Sequence, residues 1–149
     1  MRIALGADHA GVALKADIKR LLDDRGIAYE DFGTDSTESV DYPDYAMKVA
    51  QAVSDGRFDR GILFCGSGLG MAMAANKVPG VRAAPVVDTT SARLSREHND
   101  ANVLALGERL TPAGLAREIV TLFLDTPFAG GRHERRVSKI NALDGKPSV

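Results

Sequence analysis

The residues best suited to chemistry in this chain fall in one hexapeptide, Cys65-Gly66-Ser67-Gly68-Leu69-Gly70. It closes an apolar run and opens a stretch of small apolar residues, as a strand followed by a helix would. Glycines there let backbone N–H groups converge on an anion, and a helix N-terminus adds a favourable dipole. The same setting favours the thiolate of a neighbouring cysteine. A thiolate beside an anion-holding loop can take a proton from carbon next to a carbonyl while the loop holds the enediolate oxygen. The plainer reading is a buried cysteine filling a tight turn, and local sequence leaves both standing. A dinucleotide loop is a rival, with Asp88, 22 residues after Gly66, as the ribose-binding acid. The pattern is Gly-x-Gly-x-Gly, however, and position 71 is Met, so the Gly-x-Gly-x-x-Gly fingerprint is not met.

Other candidates carry a functional and a plain reading side by side. Asp8-His9 suits binding of a phosphate or a sugar hydroxyl, or simply the start of a helix. His98-Asn99-Asp100 is a dense polar cluster, and a histidine can act as acid or base near neutral pH. Arg132 and Arg136 are four residues apart, hence on one helix face, and two guanidiniums there form a phosphate clamp or a solvated basic face. Lys15, Lys19 and Arg20 read as a solvated face of the first helix. No Cys/His set has metal-ligand spacing, and Gly66-Ser67-Gly68 is not the five-residue elbow of a serine hydrolase.

Positioning these groups requires a scaffold, and the periodicity supplies one. Strands are expected at 2–6, 28–32, 61–65, 81–87 and 102–106, although Pro85 weakens the fourth. Helices are expected at 10–24, after Asp44, over 69–76, 91–97 and 113–124, and over 132–143. Thr111 is the expected cap of the fifth helix, with Pro112 in its first turn. Alternation of this kind implies an α/β fold: a three-layer α/β/α sandwich around a five-stranded parallel sheet, Rossmann-like. Ligands on such sheets bind beyond the C-terminal strand ends. Those ends carry Asp8-His9, Gly33-Thr34, Cys65 to Gly70, Asp88 and Gly107.

Bulk properties narrow the class. The 149 residues fit one domain, and a 44% hydrophobic content can fill its core. Nineteen basic against 20 acidic side chains argue against a nucleic-acid surface. No apolar run approaches the roughly 20 residues that span a bilayer. One cysteine cannot form an internal disulfide, which suits a reducing, cytoplasmic setting.

Taken together, several stretches resemble the ribose-5-phosphate isomerase B family, which includes allose-6-phosphate and galactose-6-phosphate isomerases. They are 6–11 (GADHAG), 41–43 (DYP), 65–70 (CGSGLG), 74–77 (AANK), 95–104 (SREHNDANVL) and 130–133 (GGRH), in family order over nearly the whole chain. The resemblance implies an aldose–ketose isomerase working through a cis-enediol, with no metal or organic cofactor. The expected substrates are ribose 5-phosphate and ribulose 5-phosphate, or another phosphosugar such as allose 6-phosphate, galactose 6-phosphate or erythrulose 4-phosphate. A non-catalytic sugar-phosphate binding module is the alternative of a different class. By resemblance, Cys65 is the base, and Ser67 with the amides from Gly66 to Gly70, including Gly68 and Leu69, forms the anion hole. His98 assists ring opening, Asp8 and His9 bind substrate, Arg132 and Arg136 clamp the phosphate, and Asn99 and Arg109 add contacts. The same resemblance implies a homodimer or tetramer with sites at the interface and the C-terminal helix, about 132–143, packing there. Many members have Thr where this chain has Ser67, and a hydroxyl survives the change. A branch of the family replaces the cysteine by a Glu a few residues later; here those later positions include Met71 and Met73, which cannot act as bases.

Overall fold

A computed structural model describes residues 1–145; residues 146–149 of the expected single domain lie outside the described residues. The elements are β1 (Arg2–Ala7), α1 (Val12–Asp24), β2 (Ala28–Asp31), α2 (Tyr42–Ser54), β3 (Arg60–Cys65), α3 (Leu69–Ala75), β4 (Ala83–Pro85), α4 (Thr89–Glu97), β5 (Val103–Gly107), α5 (Ala113–Asp125) and α6 (Arg132–Asn141). All strand pairs are parallel, in the order β2-β1-β3-β5-β4.

The period-2 rule divides the core into two halves. Ile3, Leu5, Ile62, Phe64, Leu104 and Leu106 face α1, α4 and α5. Ala4, Leu63, Cys65, Val103 and Ala105 face α2 and α3. Each fully buried Leu, Ile or Phe contributes about 1.5–3 kcal/mol. A one-residue slip would exchange the two faces of a strand, so the register is strongly specified. It sends Cys65 to the α2/α3 side at the last position of β3.

Four local expectations change. β4 is three residues rather than seven, and Pro85 is tolerated because β4 is an edge strand. Asn76 lies against that edge: its Nδ2 donates to the Ala83 carbonyl at 2.9 Å, and its Oδ1 accepts the Ala83 N–H at 2.7 Å. Helix α2 starts at Tyr42, with Pro43 in its first turn, and α6 ends at Asn141. Thr111 does not cap α5. The capping position is Pro112, and the buried Thr111 Oγ1 has no hydrogen-bond partner among the described residues.

The fourth correction concerns Lys15, which is 1% exposed rather than solvated. Its Nζ donates to Asp31 Oδ1 at 2.7 Å, the Thr34 carbonyl at 2.7 Å and Asp35 Oδ1 at 3.0 Å. Lys15 borders the apolar stripe of Leu14, Ile18, Leu21 and Leu22, and the segment after β2 folds back over it. A buried ammonium survives only with such pairing.

Asp31 is affected in turn. Burial pushes its carboxyl pKa up, but Lys15, the Gly33 N–H and Lys19 outweigh that and hold it below its ordinary value. The folded state therefore binds fewer protons than the unfolded chain around and below about pH 4, so stability rises with pH there. Asp31 contributes fully above its unfolded pKa, and its contribution disappears as pH falls through the folded pKa. Urea midpoints measured from neutral pH down to about pH 2 should fall on acidification, and Asp31→Asn should flatten that slope while lowering the neutral-pH midpoint.

Candidate active site

The chain leaves β1 toward β2 on one side and enters β3 on the other, so a crevice opens between the C-terminal ends of β1 and β3. Three strand ends converge there. β1 leads into Asp8 and His9, β3 ends at Cys65, and β5 leads into Arg109. They line a cavity of about 260 Å³ together with Gly66, Ser67 and Gly70. Tyr42, Ala10 and Leu110 complete its wall. Of the residues singled out from sequence, Asp8, His9, Cys65, Gly66, Ser67, Gly70 and Arg109 are thus brought together.

The turn after β3 is built around two glycines. Gly68 has φ of +80°, a left-handed conformation that other residues adopt at a cost. That turn points its N–H at Cys65 Sγ, with N···S at 2.9 Å. Gly107 lies in register with Cys65 on β5 and lacks a side chain because the Ser67 backbone crosses it. A Cβ there would lie 2.5 Å from the Ser67 carbonyl carbon. The Leu69 N–H is drawn to Ser67 Oγ at 3.3 Å. Two of the loop's amides are therefore engaged by its own side chains, and neither Gly68 nor Leu69 lines the cavity.

The surrounding groups are held from several elements. The buried Asp8 accepts the Ala10 N–H at 2.9 Å, and α1 begins only at Val12, so Asp8 is not its cap. His9 Nδ1 accepts the Val40 N–H at 3.2 Å, which leaves the ring proton of the neutral imidazole on Nε2. Arg109 lays its guanidinium over Gly66, and the Arg109 backbone N–H donates to the Gly66 carbonyl at 3.1 Å. Tyr42 covers Gly70 so closely that a Cβ at 70 would lie 2.6 Å from the ring. Tyr42 is not among the site residues expected from sequence, although it lies in the DYP stretch at 41–43.

His98, Asn99, Arg132 and Arg136 lie elsewhere. His98 caps the C-terminus of α4, just before β5 begins at Val103. Cys65 pairs with Gly107 at the other end of β5. The two residues therefore occupy opposite ends of the sheet within one chain. His98 stacks on the buried His133 of α6, with ring centroids 4.2 Å apart and 13° between planes. Burial, and then the positive charge of His98, Arg132 and Arg136, holds His133 below its ordinary pKa. Arg132 and Arg136 are exposed on α6, and Asn99 lines a separate hollow with Arg82 and Ile140.

The rival dinucleotide reading loses its acid. Asp88 caps α4, accepting the Ser91 N–H at 2.6 Å and the Ser91 hydroxyl at 2.9 Å. Among the described residues, no three His, Cys, Asp or Glu side chains gather as metal ligands. No described helix is long and apolar enough to cross a membrane.

The chain is similar to known proteins in sequence and in fold. The family model described as Ribose/Galactose Isomerase matches residues 3–140. The solved ribose-5-phosphate isomerase B of Clostridium thermocellum is 55% identical, with a TM-score of 0.94 over 96% of this chain and 97% of that one. Ribose-5-phosphate isomerase B of Escherichia coli is 48% identical over 96% of each chain. D-erythrulose-4-phosphate isomerase of Pectobacterium atrosepticum is 45% identical over 94% of this chain and 93% of its own length. Matched in sequence and in fold over nearly its full length, the chain belongs to the ribose/galactose isomerase family.

Proposed function

We propose that this protein interconverts ribose 5-phosphate and ribulose 5-phosphate through a cis-enediol, with Cys65 as the base. The observation that carries the reading is the cavity at the β1/β3 crevice, where Cys65 Sγ meets an amide donor beside His9, Ser67 and Arg109. In this mechanism the Cys65 thiolate removes the proton from carbon 2 of the open-chain aldose. The negative charge moves to the carbonyl oxygen at carbon 1, which the loop amides and the Ser67 hydroxyl stabilise. The hydroxyl proton on the carbon 2 oxygen passes to the carbon 1 oxygen, Cys65 returns its own proton to carbon 1, and the carbon 2 oxygen is left as the ketone. His98 donates to the ring oxygen during ring opening. Asp8, His9, Asn99 and Arg109 hold hydroxyls, and Arg132 and Arg136 clamp the phosphate. No cofactor enters these steps. A single unpaired thiol suits a reducing compartment such as the cytoplasm.

His98, Asn99 and the two arginines reach this cavity only if a second copy supplies them, so the proposed unit is a homodimer, or a tetramer of two such dimers, with α6 at the interface. That makes a complementation test available. Cys65→Ser and His98→Asn are each expected to be nearly inactive. Mixed after reversible dissociation, they should recover about a quarter of wild-type activity, because half the dimers are mixed and each holds one intact site. Recovery of none would count against shared sites.

The reaction itself is tested by incubating the protein with ribose 5-phosphate in deuterated water with chelator. Ribulose 5-phosphate carrying deuterium at carbon 1 is expected. No turnover of any phosphosugar would sink the proposal. The 45% identity to an erythrulose-4-phosphate isomerase supports a second reading, the same chemistry on the tetrulose phosphate. A higher kcat/KM on erythrulose 4-phosphate than on ribulose 5-phosphate would select it.

A further inference from the structure

Residues 32–41, between β2 and α2, form neither helix nor strand, yet both ends of this segment are tied down. Near its start, Lys15 grips the Thr34 carbonyl and Asp35 from below, with Asp31 as the third partner. An ammonium has three donors, and all three are matched here. At the far end, the Val40 N–H donates to His9 Nδ1. Between them the chain closes on itself twice: the Ser36 N–H donates to Thr34 Oγ1 at 3.3 Å, and the Glu38 N–H donates to Ser36 Oγ at 3.0 Å. Such side-chain-closed turns stiffen a segment that has no ladder of its own. Hydrogen bonds as far as Glu38, and the chain itself from Glu38 to Val40, therefore join a buried ammonium to an imidazole in the cavity wall.

We propose that Lys15 is a positioning residue for His9. It touches neither the cavity nor any reacting atom. An apolar side chain would fill the same place on α1 at less desolvation cost, but it could not hold the Thr34 carbonyl and two carboxylates together. Lys15 thereby sets where the segment ends, and the Val40 N–H then selects the His9 tautomer that carries its proton on Nε2. Without that donor the ring is free to exchange tautomers and to turn. The kinetic side of this inference rests on the isomerase reading above; the tautomer does not.

The test uses the full chain, free of substrate, with ¹⁵N-labelled histidine. Wild type should show His9 as a single neutral tautomer, protonated at Nε2. Lys15→Met and Val40→Pro should each give a mixture. Each should lower kcat/KM on ribose 5-phosphate by about 10- to 100-fold, the scale of an ångström-level misplacement. The double variant should lose no more than the worse single one. A folded Lys15→Met protein with unchanged His9 spectra and unchanged kcat/KM overturns the proposal, and so do losses that multiply. If Lys15→Met does not fold, Asp35→Ala combined with Ser36→Ala cuts the same line at exposed side chains. That pair should also mix the tautomers and lower kcat/KM, and an unaltered His9 overturns the proposal. Absence of turnover by wild type would strike the isomerase reading alone, with the His9 spectra still deciding the role of Lys15.

Discussion

Cys65→Ser should reduce kcat on ribose 5-phosphate by about 10²- to 10⁴-fold, the usual contribution of a positioned general base. The change replaces sulfur by oxygen and leaves the rest of the side chain intact. Its hydroxyl can still accept the Gly68 N–H, so the turn keeps its shape. A serine hydroxyl, however, is far too weakly acidic to be present as its anion. Binding of inorganic phosphate, followed by calorimetry, should be unchanged, because no phosphate contact is assigned to position 65. Deuterium entry into substrate should fall in parallel with kcat. Near-normal turnover by the serine variant would remove Cys65 from the mechanism.

Gly107→Ala should damage both stability and activity, although position 107 carries no functional group. The added Cβ would approach the Ser67 carbonyl carbon at 2.5 Å, its Cα at 2.6 Å and its oxygen at 2.7 Å. These are backbone atoms, so the strain cannot be relieved by turning a side chain. Overpacking of this kind costs about 1–3 kcal/mol. It would also displace the loop that carries Ser67 and orients Cys65, and shifts of about an ångström in such loops can cost about 10²-fold in rate. Gly114→Ala in the first turn of α5 is the control, since nothing lies within 4 Å of its added Cβ. It should leave kcat untouched and hold or raise the melting temperature. A Gly107→Ala enzyme with wild-type kcat and melting temperature would show that the Ser67 crossing is softer than its distances imply.

Much of this architecture was legible from local pattern. The apolar runs at 61–65 and 102–106 and the turn chemistry of 65–70 mark two central strands and the loop between the first of them and α3. Alternation along β3 then assigns Cys65 a face and an end of the sheet. What local pattern did not hold was long-range. Lys15 has the sequence context of any lysine at the margin of an amphipathic helix. Its burial depends on residues 34 and 35 folding back over α1, which no periodicity encodes. Thr111 has the residue type of a cap, but β5 ends so close to it that the hydroxyl is turned inward and Pro112 takes the capping position. His98 and Cys65 are joined in one site only by the family resemblance, which implies a site shared between two copies. The parallel return of α4 between β4 and β5 carries His98 to the opposite end of the sheet from Cys65. Tyr42 gained its place in the cavity only from the close approach of Gly70.

The edge strand β4 has a further consequence. Ala83 and Pro85 direct their backbone groups away from β5, while Val86 turns its N–H inward to the Ala105 carbonyl. The outward N–H of Ala83 is already taken by Asn76, and Pro85 has none to offer. This margin of the sheet therefore presents no free donor on which a foreign strand could begin to zip. In a crowded solution of many copies, a side-chain amide and a proline ring guard the sheet against fibrous self-association at that edge.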